Sequence, residues 1–277
     1  MKVYISVDME GIGGIVEGGQ ITQAILDTAL RREARELLTG EVNAAIEGAL
    51  AGGATEVVVN ENHSGHELIL QELHPAAEVM LGHDKPMETL DGLDGSFDAL
   101  FLVGIHARNY TPESVLAHTW WPEVIDELHV NGAPIGEIGL NALLAGHHGV
   151  PVALVTSDDK GVAEARALLG DVEGVIVKWG RSCHAARCLH PGRVQQAIRE
   201  GAARALRELS RFRPLILQAP IELQIDLSHA LLADRACIVP PLVRAGPRTV
   251  SITADTFEEA VRWFFVVTSV AGCVAQR

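Results

Sequence analysis

Short runs of β-branched and apolar residues, each followed by a helix-length stretch, recur through the first two thirds of this 277-residue chain. The runs Val3–Val7, Glu56–Asn60, Ala99–Val103, Val124–Val130, Val152–Thr156 and Val172–Lys178 read as strands. Several are apolar at consecutive positions, as strands buried on both faces of a parallel sheet are. The stretches Gln23–Leu38, Glu41–Ala51, Gly136–His147, Asp158–Leu169 and Pro191–Leu209 read as helices. Pro191 suits a first helical position, where an N–H would have no helical partner. Val194, Ile198, Ala202 and Leu206 recur at every fourth position and keep one face of that helix apolar. Alternation of this kind predicts a three-layer α/β/α architecture around a largely parallel or mixed central sheet.

After about residue 210 the texture changes. Pro214, Pro220, Pro240, Pro241 and Pro247 punctuate strand-like runs at Leu215–Leu227 and Thr249–Ala254, and an apolar helix follows from Phe257. We therefore expect a catalytic α/β domain over residues 1–190. The remainder, 191–277, is expected to form a smaller α+β lobe or to add strands to the first sheet. A chain this long buries roughly 70–75% of the surface its unfolded form exposes and needs no disulfide or structural metal merely to fold.

Charge and cysteine usage exclude several function classes. Thirty-six acidic against 22 basic residues give a formal charge of -14, with no run of lysine and arginine. A nucleic-acid partner needs a basic stripe to displace counterions, and an anionic membrane needs a basic face, so neither is expected. Four cysteines in a chain of this length are no disulfide framework. The N-terminus enters a strand at once and meets Asp8, which leaves no apolar core for a signal peptide. The most apolar stretch, Ala260–Ala275, contains Arg262 and is shorter than the ~20 residues of a membrane span. A cytoplasmic location is the expectation.

Soluble α/β proteins place their chemistry beyond the carboxyl ends of their strands. Asp8-Met9-Glu10-Gly11 follows the first strand, Asn60-Glu61-Asn62-His63-Ser64 the second, and Gly104-Ile105-His106-Ala107-Arg108 the strand near residue 100. His118 and the segment Gly136-Glu137-Ile138-Gly139-Leu140-Asn141 come next. Any one of these residues alone reads as a solvated loop acid, a strand-end imidazole or a helix-dipole partner. If the sheet is parallel, Asp8, Glu10, His63, His106 and Glu137 converge on one edge, and together they suit a divalent metal as oxygen and nitrogen donors. Five ligands exceed one tetrahedral zinc and match two ions about 3.5–4 Å apart that share a carboxylate, an arrangement suited to hydrolysis by metal-bound hydroxide.

Other motifs carry less. Gly11-Ile12-Gly13-Gly14 resembles a dinucleotide loop, but Val16 stands where a small residue is required, and Asp8 and Glu10 would repel a pyrophosphate. We read these glycines as room for a sharp bend beside the site. Cys183-His184 and Cys188-x-His190 lack the spacing of a zinc knuckle. Cys237 and Cys273 lie in apolar runs and read as core residues. Ser64 and Ser182 lack the context of a serine nucleophile.

The segments V-D-M-E-G-I-G-G, N-E-N-H-S, L-F-L-V-G-I-H-A-R, T-P-E-S-V-L-A-H and G-E-I-G-L-N-A together resemble the zinc-dependent D-aminopeptidases, from residue 1 to about 190 and more loosely beyond. The resemblance implies two zinc ions per subunit, held by Asp8, Glu10, His63, His106 and Glu137, with Asp8 bridging. It implies His118 as the catalytic histidine and places Glu61 and Asn62 outside the ligand set. It implies short peptide substrates with an N-terminal D-residue, such as D-Ala-D-Ala, and a homodecamer of stacked rings. Another dinuclear hydrolase acting on L-peptides, amides or phosphoesters, or a non-catalytic dipeptide-binding protein, stays open as an alternative.

Overall fold

The computed structural model describes residues 1–21 and 29–275. In chain order its elements are β1 (Lys2–Val7), α1 (Gly18–Ile21), α2 (Ala29–Gly52), β2 (Glu56–Glu61), β3 (Ala77–Met80), β4 (Ala99–Val103), β5 (Ile125–Val130), β6 (Ala133–Ile135), α3 (Glu137–His147), β7 (Val152–Asp158), α4 (Asp159–Leu169), β8 (Glu173–Ser182), β9 (Ala185–Cys188), α5 (Pro191–Arg207), β10 (Ile221–Leu227), α6 (Ala230–Ala236), β11 (Val243–Arg244), β12 (Thr249–Ala254) and α7 (Phe257–Ala275).

Side chains alternate across a strand, so a strand buried on both faces must feed two cores. In β1, Val3, Ile5 and Val7 join the core under α2 and α5, while Tyr4 joins the core shared with α3, α7 and the second sheet. Each fully buried Val or Ile contributes about 1.5–3 kcal/mol relative to exposure. The first sheet has the order β3-β2-β1-β4-β7-β8-β9, parallel except for the last pair. From β1 the chain steps outward to β2 and β3, then returns to β4 on the other side of β1. The order reverses between β1 and β4, as in doubly wound sheets. The α/β class read from the alternation is what the chain adopts.

The strands after residue 210 join neither end of that sheet. They pair with β5 and β6 in an antiparallel sheet of order β11-β12-β10-β5-β6. The run Val124–Val130, expected among the strands of the central sheet, thus belongs to the second one. The paired part of Leu215–Leu227 begins only at Ile221, beyond Pro220. Helix α5, at the head of 191–277, packs along α2 on the first sheet.

Two helices were expected between residues 23 and 51. Residues 23–28 lie outside the described residues, and α2 runs unbroken through Thr39 and Gly40. The Thr39 hydroxyl donates to the Arg35 carbonyl one turn back (2.8 Å). A Cβ at Gly40 would meet the flexible amide end of Gln195 on α5 at 2.5 Å. Among the described residues no helix is long and apolar enough to cross a membrane.

The exits of β1 and β4 are tied together. Asp8 N–H donates to the Val103 carbonyl (2.9 Å) and Gly11 N–H to the Gly104 carbonyl (2.7 Å). Gly104 has φ +73°, and a Cβ there would collide with the Asp8 carbonyl and the Ile12 side chain. Gly104→Ala is expected to destabilise the fold by about 2 kcal/mol or more, read as a lower urea midpoint with unchanged slope. An unshifted midpoint would mean that this crossing is not under steric constraint.

Candidate metal centre

The reversal point between β1 and β4 opens a crevice at the carboxyl ends of the strands. Asp8 and Glu10 leave β1 into it, His63 arrives just after β2, and His106 just after β4. Glu137 comes from elsewhere. It is the first residue of α3, which begins directly after the β5–β6 hairpin of the antiparallel sheet. All three carboxylates are buried.

Asp8 is the middle of the arrangement. Its Oδ1 lies 3.5 Å from His63 Nδ1, and its Oδ2 lies 3.5 Å from His106 Nε2. Glu10 Oε2 is 3.2 Å from the same His63 nitrogen, and Glu137 Oε1 is 3.2 Å from the same His106 nitrogen. The donor atoms therefore form two groups within 4.8 Å each, one of Asp8, Glu10 and His63, the other of His106, His118 and Glu137. The remote ring nitrogens face backbone carbonyls, His63 Nε2 that of Ile21 (3.2 Å) and His106 Nδ1 that of Ala107 (2.9 Å). A carbonyl only accepts, so those nitrogens carry hydrogens, and the nitrogens turned to the carboxylates are the ones placed to ligate a metal once deprotonated.

Burial, reinforced by Glu10, pushes the Asp8 carboxyl up to about 7. Burial also acts to raise Glu10 and Glu137, but His63 and His106 respectively overcome it and hold both below the usual carboxylate range. The two imidazoles are raised well above their ordinary value, against burial, by the carboxylates beside them. Without a cation, protons on His63 and His106 separate the negative charges. Even so, Asp8 Oδ2 and Glu10 Oε2 are buried and accept no hydrogen bond of good geometry. Orphaned carboxylate oxygens carry a large desolvation penalty that a divalent cation relieves. The donor set fits such an ion.

His118 lies in the long connection between β4 and β5, stacked on His106 with ring centroids 4.0 Å apart and 18° between planes. Its Nδ1–H donates to the Leu116 carbonyl (2.8 Å), which leaves Nε2 as an acceptor. Burial and the neighbouring His106 hold it below the ordinary imidazole value. The structure thus brings all six singled-out residues together. It also puts a His118 nitrogen within ligand range of His106 and Glu137.

Several supporting residues carry no motif and were missed. Lys178 of β8 is fully buried, and its ammonium donates to the carbonyls of Glu10 (2.5 Å), Ile12 (2.8 Å) and Ile15 (2.6 Å). From α2, Glu41 Oε1 accepts the Gly13 N–H at 2.7 Å. Burial lowers Lys178 to about 8 and raises Glu41 to about 8. The glycine segment is therefore a bend clamped from two sides. Glu61 shapes the turn that carries His63, accepting from the N–H groups of Ser64 (3.0 Å) and Glu67 (3.2 Å).

The stretch from Cys183 to His190 forms the β8–β9 turn, strand β9 and the cap of α5. His190 Nδ1 accepts from Gly192 N–H at 3.2 Å, and both cysteines are exposed and unpaired. Glu127, His129 and Asp226 make a further half-exposed group on the antiparallel sheet, with Glu127 engaged by Arg108 (3.0 Å) and Asp226 by the Thr249 hydroxyl.

A doubly wound sheet with carboxylate and imidazole donors gathered at its reversal point defines a metal-dependent α/β enzyme. The sequence model of the D-aminopeptidase family (peptidase family M55) matches residues 1–266, and the chain belongs to that family. It is 34% identical over 275 residues to the D-aminopeptidase of Bacillus subtilis (strain 168), covering 98% of each chain. A solved structure, the Zn-dependent D-aminopeptidase DppA from Bacillus subtilis, described as a self-compartmentalizing protease, is similar with a TM-score of 0.92, at 34% identity and 98% coverage of both chains.

Lys178→Met removes the ammonium from three buried carbonyls and is expected to lower stability by about 3 kcal/mol, measured by urea unfolding. A parental midpoint would show that the Glu10 segment needs no such anchor.

Proposed function

We propose that this D-aminopeptidase uses two zinc ions per subunit to hydrolyse short peptides with an N-terminal D-residue, D-Ala-D-Ala among them. Asp8, Glu10 and His63 would hold one ion, and Asp8, His106 and Glu137 the other. The observation that carries the reading is the split orientation of Asp8, one carboxylate oxygen turned to each imidazole. Zinc is favoured by the mixed oxygen and nitrogen donors and by the zinc dependence named for the solved relative. The paired ions would supply an ionised water as nucleophile at neutral pH and draw electron density from the scissile carbonyl.

The chain's own contribution is proton handling. His118, with Nε2 unprotonated and within ligand range of His106 and Glu137, takes the proton released on attack and returns it to the leaving amine. It also steadies the tetrahedral oxyanion. The D-preference rests on family membership. Assembly into a decamer of stacked rings that enclose the sites is proposed from the earlier resemblance and the self-compartmentalizing character of the relative. The unpaired cysteines accord with a reducing cytoplasm.

Zinc analysis with a panel of D- and L-dipeptides tests the assignment. Asp8→Ala is expected to lose zinc and activity together, and full retention of both would overturn the site. His118→Ala is expected to keep zinc while kcat falls by at least about 100-fold; loss of metal would make His118 a ligand. Cleavage of L-dipeptides alone would remove the D-specific reading.

Zinc uptake is also linked to protons. Because His63 and His106 lie above their ordinary value, both stay protonated at neutral pH without metal, and binding must expel those protons. Zinc affinity is expected to rise with pH, by about tenfold per pH unit for each proton displaced. Titration calorimetry in buffers of differing ionisation enthalpy reads the proton count, and a count of zero would contradict this charge balance.

A further inference from the structure

The segment from residue 113 to 120 presents His118, yet it contains no helix or strand. Its shape is strained for ordinary residues. Leu116 has φ +51° and Trp120 φ +62°, both in the left-handed region that disfavours bulky side chains. Such conformations persist only where the surroundings over-determine them.

The carboxylate of Asp158, the last residue of β7, provides most of that determination. It is 2% exposed and accepts four hydrogen bonds. Oδ1 caps α4 by accepting from the N–H groups of Lys160 (3.0 Å) and Gly161 (2.8 Å). Oδ2 turns the other way and accepts from the Ser114 hydroxyl (2.9 Å) and the Val115 N–H (2.8 Å). The next residue is held by the β8–β9 turn, with Leu116 N–H donating to the Cys183 carbonyl at 2.9 Å. Within β8, just before that turn, Gly180 lies so close that a Cβ would collide with the Glu113 carbonyl. Beyond His118, Trp120 N–H donates to Glu137 Oε1 at 2.7 Å.

The Leu116 carbonyl is the group that receives His118 Nδ1–H and leaves Nε2 unprotonated toward the metal groups. We propose that Asp158 is the positioning residue for His118, acting through the Ser114–Leu116 backbone to fix the tautomer and aim of its imidazole. Asp158 itself touches neither substrate nor metal. The Cys183 turn, unexplained as a metal motif, serves as the second point of the same clamp.

This rests on the reading of His118 as the proton-transfer residue, and the variants separate the two ideas. Asp158→Asn keeps size and one acceptor oxygen, so the α4 cap survives while an amide NH2 meets the Val115 N–H. On the zinc-loaded enzyme with D-Ala-D-Ala, kcat is expected to fall about tenfold, with KM and zinc content within about twofold. In a His118→Ala background the same change is expected to have no further effect on the residual rate, because the two act as one unit. Ser114→Ala, which spares the cap, is expected to lower kcat about threefold with the same split, and it decides the matter if Asp158→Asn does not fold. Parental kcat in Asp158→Asn, loss of kcat in step with zinc, or an undiminished effect in the His118→Ala background would each overturn the proposal. Parental activity in His118→Ala alone would instead remove the reading beneath it.

Discussion

Three carboxylates share one buried crevice, and they cannot all stay ionised without positive charge among them. This condition organises the molecule. In the chain alone it is met by protons on His63 and His106, each set between two acids. Asp8 shares each imidazole with another acid, and burial together with Glu10 raises its carboxyl to about 7. A pair of divalent ions would meet the same condition and also satisfy the oxygens left without partners.

Holding like charges together requires a scaffold that cannot relax. The reversal of strand order lets β1 and β4 lie side by side. Hydrogen bonds from Asp8 and Gly11 to the carbonyls of Val103 and Gly104 keep the exits in contact. Lys178 and Glu41 then grip the segment after Asp8 from two directions. Each supporting group is itself buried, polar and bonded to backbone, so the crevice is surrounded by fixed dipoles rather than side chains free to turn.

Much of this was legible in the sequence, for a physical reason. Strands buried on both faces must be apolar at successive positions, so the polar residues that end them stand out, as Asp8, His63 and His106 do. The α/β class followed from the same alternation. What stayed hidden depends on long-range pairing. Nothing local in Val124–Val130 says that it pairs with β10 and β6, so the arrival of Glu137 from the antiparallel sheet could not be read. Gly40 reads as a helix stop but lies inside one continuous helix. Lys178 and Asp158 look like ordinary strand-end charges until their partners, more than 160 and more than 40 positions away in sequence, are in place.

Glu137 is carried by the antiparallel sheet, whereas Asp8, His63 and His106 are carried by the parallel one. A cation seated between His106 and Glu137 would therefore act as a rivet through the seam of the two sheets. Losing it would remove one brace at the polar end of a seam whose apolar part is held by the core common to both sheets. The ion would then tie the local stiffness of that end to the chemistry it supports.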